Sequence, residues 1–485
     1  MAIPVSELHP ALPGPLTARS LYKVGTLRYT AFGLLLVFFW VLWGDFIYML
    51  LDTSLVTIFP KKLNEMGAGD FTVQMLHQTL ARTVAFGLAP IISFRSDRYR
   101  SPRGRRIPFI LWTTPLVGLF LVLIGCTDNL TAAVTRGADA ITVLGYSIST
   151  QTIGIALLGV LLFCFDFANM FVGTVYYYMF NDVVPQQFLS RFLSCYRMVS
   201  SLAGMLYSAY IFPHALTHFR LIFVLAGVGY TVGLVTMCLF VKEGSYGPPP
   251  QNLDRRTGFI SSAKTFAKEC FTHKFYWYFF LASTFRCLAL SITPAFVLLR
   301  DLNSLGMGLA ELGSVFAWTQ FVSLLLQYPS GWLADRLNPI RVHTATSFIS
   351  LLSPLAACVW LFRDFGTAGN LHYYYWISLL FLPIGALCTA AELPMYMRLL
   401  PRERYGQFCS ANAMLRSFAM VVGSVLLGVL MKVLADGVHM GPWRYRYVAL
   451  WALAFQIPSS LFLWLLYREW KARGGEKGYT PPGVT

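Results

Sequence analysis

The chain has 485 residues, of which 56% are hydrophobic, 16% aromatic and only 12% charged. Soluble domains carry about 25% charged residues, so this composition excludes an ordinary soluble protein and predicts a polytopic membrane protein. A net charge of +16 is compatible with binding to nucleic acid, but most of the basic residues lie in short loops between apolar runs. No tract resembles a nucleic-acid-binding module, so membrane lipid is the predicted partner of the basic loops.

The apolar runs predict twelve membrane spans in two sets of six, because a spanning helix needs about 20 apolar residues. The spans are 31–58, 71–94, 107–126, 151–178, 192–212, 220–241, 275–299, 309–333, 342–362, 371–396, 409–431 and 446–467. The predicted fold is therefore an all-α membrane protein with two six-helix bundles. Its parts are a tail at 1–30, a bundle at 31–241, a linker at 242–274, a bundle at 275–467 and a tail at 468–485.

The basic residues predict the orientation of these spans. Lys and Arg concentrate in the tails, the linker and the even-numbered loops, which by the positive-inside rule lie in the cytoplasm. The first 20 residues lack the order of a signal peptide. We expect a multi-pass protein of the cytoplasmic (inner) membrane with both termini cytoplasmic. The nine cysteines show no zinc or disulfide spacing, so no metal and no cofactor is predicted.

The loop between spans 2 and 3, residues 96–109, reads SDRYRSPRGRRIPF. The loop carries five arginines between Arg98 and Arg106. These charges hold it at one face of the membrane. An Asp-Arg pair recurs at the equivalent place after span 8, in GWLADRLNPIR. The recurrence predicts an internal duplication of six spans plus six.

These features resemble the major facilitator superfamily of transporters. The family's loop motif matches Asp97, Arg98, Gly104, Arg105 and Arg106, and its degenerate second copy matches Asp335 and Arg336. The resemblance implies two domains that rock around a central site to give alternating access. It also implies a cytoplasmic gate in which Asp97 binds helix-terminal amides of the opposite domain, so Asp97→Asn is expected to impair transport.

The sequence resembles one branch of that family in more detail. SDRYRSPRGRRIPFIL is similar to the equivalent loop of proton-coupled sucrose transporters and of glycoside–pentoside–hexuronide symporters, and Gly44-Asp45-Phe46 is similar to a motif of their first span. The paired aspartates of melibiose-type symporters are absent from span 2, which carries His77 and Arg82 instead. The resemblance therefore implies sugar transport without sodium coupling of that type.

Charged groups within the spans are the candidate functional residues, because a charge in mid-membrane costs roughly 2.5–3.5 kcal/mol or more. The polar candidates are Asp45, Asp52, His77, Arg82, Asp166, Asn169, Arg286 and Glu392. Asp45 and Asp52 are seven residues apart and so lie on nearly one face of span 1. Asp45 or Asp52 is the expected partner of Arg82, and Arg197 that of Asp166. The alternative is that all these charges form ion pairs that only hold the helices together.

Trp318 and Gln320 of span 8 are further cavity candidates, because an aromatic face stacks on a pyranose and an amide binds its hydroxyls. Interfacial packing is the alternative explanation for the aromatic residues.

The functional prediction is a monomeric secondary transporter that takes up a sugar, a di- or oligosaccharide or a glucoside, with a proton or another cation. No phosphate-binding loop or catalytic constellation is present, so neither ATP hydrolysis nor enzyme activity is expected. Two alternatives remain: efflux of an amphipathic compound by the same fold, and a non-transporting factor for assembly or pigment delivery.

Overall fold

A computed structural model describes residues 22–24, 26–84, 88, 92, 96, 99–143, 146–185, 188–244, 270–291, 293–401 and 405–482. This part of the chain is helical apart from two short antiparallel hairpins. They pair β1 (Tyr22–Val24) with β2 (Leu27–Tyr29), and β3 (Ala140–Val143) with β4 (Tyr146–Ser149). Ten helical segments of the described residues are long and apolar enough to cross a membrane. The predicted all-α membrane fold is confirmed.

The helices of the first half are α1 (Ala31–Glu65), α2 (Asp70–Gln74), α3 (Ile107–Gly125), α4 (Thr127–Thr135), α5 (Thr150–Val183), α6 (Leu189–Leu206) and α7 (Phe219–Phe240). Those of the second half are α8 (Lys274–Leu290), α9 (Pro294–Leu299), α10 (Leu309–Arg336), α11 (Pro339–Ile349), α12 (Leu352–Ala357), α13 (Gly366–Leu399), α14 (Tyr405–Lys432), α15 (Val448–Ala472) and α16 (Gly475–Gly478). Linker residues 245–269 lie outside the described residues, so the two domain boundaries stay a prediction.

Two predicted spans are interrupted. The span expected at 275–299 consists of α8 and α9, because α9 restarts at a proline, Pro294. The span expected at 342–362 consists of α11 and α12, and it ends in a 3₁₀ turn at Cys358–Leu361. Pro354, in the first turn of α12, has no backbone N–H to continue the preceding helix.

Small residues set the closest helix packing of the first half. A Cβ on Gly118 of α3 would lie 2.7 Å from the carbonyl oxygen of Gly227 in α7, and one on Gly227 would lie 2.6 Å from that of Gly118. Only glycine permits this backbone approach, which is how membrane helices gain van der Waals contact. On the outside, long helices present exposed apolar side chains such as Phe32, Trp112 and Leu225. Such a surface suits lipid and not water.

The face that carries the described chain ends, Tyr22 and Pro482, is termed the terminal face, and the opposite face, with the turn at 66–69, the distal face. On the terminal face, Glu243 accepts hydrogen bonds from the backbone N–H groups of Arg105 (2.9 Å), Arg106 (2.8 Å) and Ile107. These are the unsatisfied amides at the start of α3, so Glu243 caps that helix.

In the second half, Glu476 of α16 lies at the start of α11, as Glu243 lies at the start of α3 in the first half. Glu476 accepts a hydrogen bond from the side chain of Asn338 (2.9 Å) and pairs with Arg341 (3.5 Å) at the start of α11. Tyr479 donates its hydroxyl to the carbonyl of Leu399 (2.8 Å), and Tyr276 donates to that of Pro482 (2.8 Å). The residues after α15 are therefore packed against the terminal face.

Candidate functional site

Contacts between the two halves close the distal face. Asp70, which is 4% exposed, accepts hydrogen bonds from the Arg444 guanidinium (2.5 Å) and from the Tyr445 hydroxyl (2.7 Å). Further hydrogen bonds join Lys61 to Asn303 (2.9 Å), Asn64 to Asn303 (2.8 Å) and Thr79 to Ser424 (2.7 Å). The structure is therefore closed on the distal side.

Asp70→Ala is expected to open the distal face. The change removes a carboxylate with two charge-assisted or hydroxyl hydrogen bonds, worth about 1.5–3 kcal/mol together, and so raises the distal-open population by about 10–100-fold. Spin labels at the exposed positions Glu65 and Val438 would report a longer distance. Glu469→Ala is the matched control, since its ion pair with Lys274 (2.7 Å) lies within one half. An unchanged label distance in Asp70→Ala would remove this contact from the gate.

A central cavity of about 930 Å³ lies between α6 of the first half and the helices of the second half. Both helix interruptions reach it, through Thr293 and Pro354. Hydroxyl and amide groups line it, among them Ser200, Ser201, Thr319, Ser323, Gln327, Ser378, Thr389 and Gln456, together with the aromatic rings of Trp360 and Tyr374. A cavity of this size holds a drug-sized or sugar-sized molecule.

Asp45 lies directly behind the wall of this cavity. The side chain is fully buried, and one carboxylate oxygen accepts a hydrogen bond from Ser200 (2.9 Å), which itself lines the cavity. The other oxygen has no hydrogen-bond partner among the described residues. Gly44 allows this position, because a Cβ there would lie 2.5 Å from the Met237 sulfur.

The remaining first-half candidates form a second group, termed the first-half cluster: Asp52, His77, Arg82 and Asp166. Arg82 interacts electrostatically with each of the other three. Within the described residues no ion pair under 4.0 Å joins Arg82 to either carboxylate. Buried atoms of three members, namely Nε2 of His77, Nε of Arg82 and one oxygen of Asp166, have no protein hydrogen-bond partner there. Buried polar atoms without a partner indicate where water, a proton or a ligand binds.

Asp45 and Asp52 differ despite their shared helix face. Asp52 is exposed near the middle of α1, whereas Asp45 is buried against α6. An exposed carboxylate within a spanning helix faces water and not lipid, because lipid exposure costs several kcal/mol. Asn169 of α5 accepts a hydrogen bond from the Tyr230 hydroxyl (3.1 Å).

The second half contains its own cluster, termed the second-half cluster: Arg286, His343, Cys388, Glu392 and Tyr396. Arg286 pairs with Glu392 (3.8 Å) and donates to the Cys388 sulfur (2.8 Å). Glu392 also accepts a hydrogen bond from Tyr396 (2.7 Å). His343 lies 3.5 Å from the same sulfur and contacts the Cys388 carbonyl oxygen (2.9 Å). Arg286 and Cys388 line the central cavity.

Sequence reasoning missed several members of this site. They are Cys388, His343 and the ion pair of Arg300 with Asp301 (2.7 Å). Arg300 and Asp301 are charges inside an apolar run, and that signal was sufficient to find them. Nothing in the sequence signals that Cys388 and His343 meet, because they lie on different helices.

Some expected contacts are not seen among the described residues. Trp318 and Gln320 do not line the cavity: Thr319, Ser323 and Gln327 do, and their neighbours on α10 are rotated away by about 100°. Gln320 packs on Gly204 of α6 instead. The expected pair of Arg197 with Asp166 is also not seen, because no ion pair under 4.0 Å joins these two described side chains.

The loop motif is only partly visible. Asp97, Arg98 and the side chain of Asp335 lie outside the described residues. Arg105 makes a bidentate ion pair with Asp182 of α5 (2.6 and 3.0 Å), and Arg106 also contacts Asp182 (3.3 Å). Gly104 has φ +106°, a backbone conformation that favours glycine. Arg336 of the second copy is exposed and stacks on Trp332 (5.1 Å).

No group of three or more His, Cys, Asp or Glu residues suited to a metal ion occurs among the described residues. The candidate site therefore consists of a hydroxyl-rich central cavity together with two clusters of charged side chains, one in each half. A cavity surrounded by apolar helices is typical of a membrane transporter.

Comparison with known proteins gives the family. Residues 41–424 match the model of the Major Facilitator Superfamily, and the chain belongs to that family. No curated protein sequence matches it. The fold is similar to a D-xylose-proton symporter (10% identity, TM-score 0.63, 89% of this chain and 97% of that one). It is also similar to a bacterial homologue of the lysosomal transporter Spinster (13% identity, TM-score 0.62, 93% of this chain and 98% of that one). A third similar structure is a bacterial homologue of the iron transporter ferroportin (14% identity, TM-score 0.63, 89% of this chain and 99% of that one).

Proposed function

We propose that this transporter couples the uptake of a sugar to proton movement across the cytoplasmic membrane, with both termini in the cytoplasm. In this orientation the terminal face is cytoplasmic, and the structure represents the state that is closed to the outside. The basic loop at 99–106, which lies on the terminal face, supports the orientation.

The hydrogen bond from Ser200 to Asp45 is the observation that carries the proposal. Ser200 lines the cavity, and Asp45 is a buried carboxyl group one hydrogen bond behind it. A substrate hydroxyl that binds Ser200 therefore competes with, or reorients, the donor on which Asp45 depends. Substrate occupancy and the proton state of Asp45 are thereby linked.

The cavity lining supports a sugar. Sugars offer many hydroxyls, and the lining offers serine, threonine and glutamine side chains in place of water. Trp360 and Tyr374 supply apolar ring faces of the kind that pack on a pyranose. The D-xylose-proton symporter among the similar structures supports the fold's capacity for this function.

Purified protein in proteoliposomes tests the proposal. We expect a labelled sugar to accumulate when the interior is alkaline relative to the outside, and not when the proton gradient is collapsed. Accumulation only under the opposite gradient would indicate efflux. No gradient-dependent movement of any sugar would overturn the proposal.

A further inference from the structure

The charges that line the central cavity are all positive. Arg197, Arg286 and Arg300 are among its lining residues, and none of the described lining residues is Asp or Glu. The nearest buried carboxyl group of the first half, Asp45, is fully buried behind Ser200 and does not reach the cavity surface. A neutral sugar would not require this excess of cations, because a guanidinium inside a membrane protein is costly without an anionic partner.

Arg300 is not a free cation. Its guanidinium contacts the neighbouring carboxylate of Asp301 at 2.7 and 2.8 Å and stacks over the ring of Trp360 at 4.8 Å. Both Arg300 and Asp301 are buried, at 5% and 0% exposure. This pair is electrically balanced, so the surplus charge belongs to the other two arginines.

Arg286 is only partly neutralised. Its carboxylate partner, Glu392, is 3.8 Å away and already accepts a hydrogen bond from Tyr396. Arg416 interacts electrostatically with the same Glu392, so two guanidinium groups share one carboxylate. The other contact of Arg286 is the thiol of Cys388. The single carboxylate of Glu392 therefore balances the charge of only one of these two guanidinium groups.

Arg197 has no anionic partner in the described part of the chain. Its side chain is exposed to the cavity from α6, one helical turn from Ser200 and Ser201, which also line the cavity. Arg197 belongs to the first half and Arg286 to the second, so a ligand held by both would join the two halves. A guanidinium is the side chain best suited to bind carboxylate or phosphate oxygens in a bidentate manner.

We propose that the substrate is an anionic sugar, whose carboxylate or phosphate group binds to Arg197 and Arg286 and whose hydroxyls bind to the serine and glutamine side chains of the cavity. This inference rests on the proposed sugar transport and specifies its substrate class. The anion replaces the missing counter-charge of both arginines, and it binds only when the two halves present them to the same space.

Binding to purified protein tests the proposal with three ligands that share one ring: D-glucose, D-glucuronate and D-glucose 6-phosphate. We expect one of the two anions to raise the melting temperature at concentrations where D-glucose has no effect, and the two anion arms distinguish carboxylate from phosphate. Arg197→Gln should weaken binding of that anion by about 10–100-fold, and Arg197→Lys should weaken it less. Arg220→Gln, at an exposed arginine at the start of α7, is the control and should leave binding unchanged.

Stabilisation by D-glucose equal to that by the anions, or no stabilisation by either anion, would overturn this inference. An Arg197→Gln variant that binds the anion normally would do the same. Proton-driven uptake of neutral sugars without anion preference would refute the substrate class and leave the proposed transport intact. If the protein binds the anion through Arg197 but shows no proton-driven uptake, the proposed transport is refuted and the substrate class stands.

Discussion

Replacing Asp45 with Asn is expected to abolish proton-driven accumulation while substrate binding persists. Asparagine has the shape of aspartate and still accepts the hydrogen bond from Ser200, but it cannot carry a proton between the two sides of the membrane. The coupling free energy that is lost is about 1–3 kcal/mol, which corresponds to a factor of about 5–150 in affinity. Uptake into proteoliposomes under an imposed proton gradient measures this loss.

Exchange of labelled for unlabelled substrate across the same vesicles is the internal control, because exchange needs binding and rocking but no net proton movement. Ser200→Ala is the matched variant: it removes the hydrogen bond to Asp45 and keeps the carboxyl group. We expect it to retain gradient-driven uptake at reduced efficiency. If Asp45→Asn accumulates substrate as well as the native protein does, the proton is carried elsewhere, with the first-half cluster as the next place to look.

Gly104→Ala is expected to lower stability by about 2–5 kcal/mol. Strain at a positive φ costs about 1–3 kcal/mol, and a lost helix cap costs about 1–2 kcal/mol more. Gly104 has φ +106°, and a Cβ there would lie 2.5 Å from the Cβ of Glu243, the residue that caps α3. The clash is with the rigid base of that side chain, so Glu243 must move. Thermal unfolding of detergent-solubilised protein measures the effect.

Gly137→Ala separates the two causes. Gly137 has φ +75°, but nothing lies within 4 Å of a Cβ added there, so only the backbone strain applies. The loss of melting temperature in Gly104→Ala should therefore exceed the loss in Gly137→Ala. Equal losses would show that Glu243 does not depend on the close approach of Gly104.

Much of the architecture is predictable from the sequence, because membrane spans depend on local composition. The all-α fold and the position of most spans follow from runs of apolar residues, whose length must match the hydrocarbon core. The interruptions at Pro294 and Pro354 are the exception. Proline signals a break, but whether the chain restarts at once or bends depends on the neighbouring helices.

The site is less predictable, because its contacts join distant parts of the chain. Asp45 and Asp52 both lie within the apolar run of α1, yet Asp45 is buried against Ser200 of α6 and Asp52 is exposed. Whether each carboxyl group is buried or exposed depends on the helix packed against it, and the spacing of residues within α1 does not show which helix that is. The meeting of Arg286, His343 and Cys388 is hidden for the same reason.

The loop motif illustrates both situations. Its glycine and arginines follow from resemblance to the family, and their residue types indicate a turn and ion pairs. Their partners Asp182 and Glu243 come from the ends of α5 and α7 and carry no motif of their own. The motif therefore identifies the loop residues of these contacts but does not identify their partners.

The packed segment after α15 has a practical consequence for handling the protein. Glu476, Tyr479 and Pro482 are bound to the terminal face, so the polypeptide is not free where α15 ends. An affinity tag or fluorescent fusion joined directly at Ala472 would leave the Asn338 amide and the Tyr276 hydroxyl without these partners. Placed beyond Pro482 with a flexible spacer, the same tag would leave the contacts intact, and purification yield would reveal the difference between the two designs.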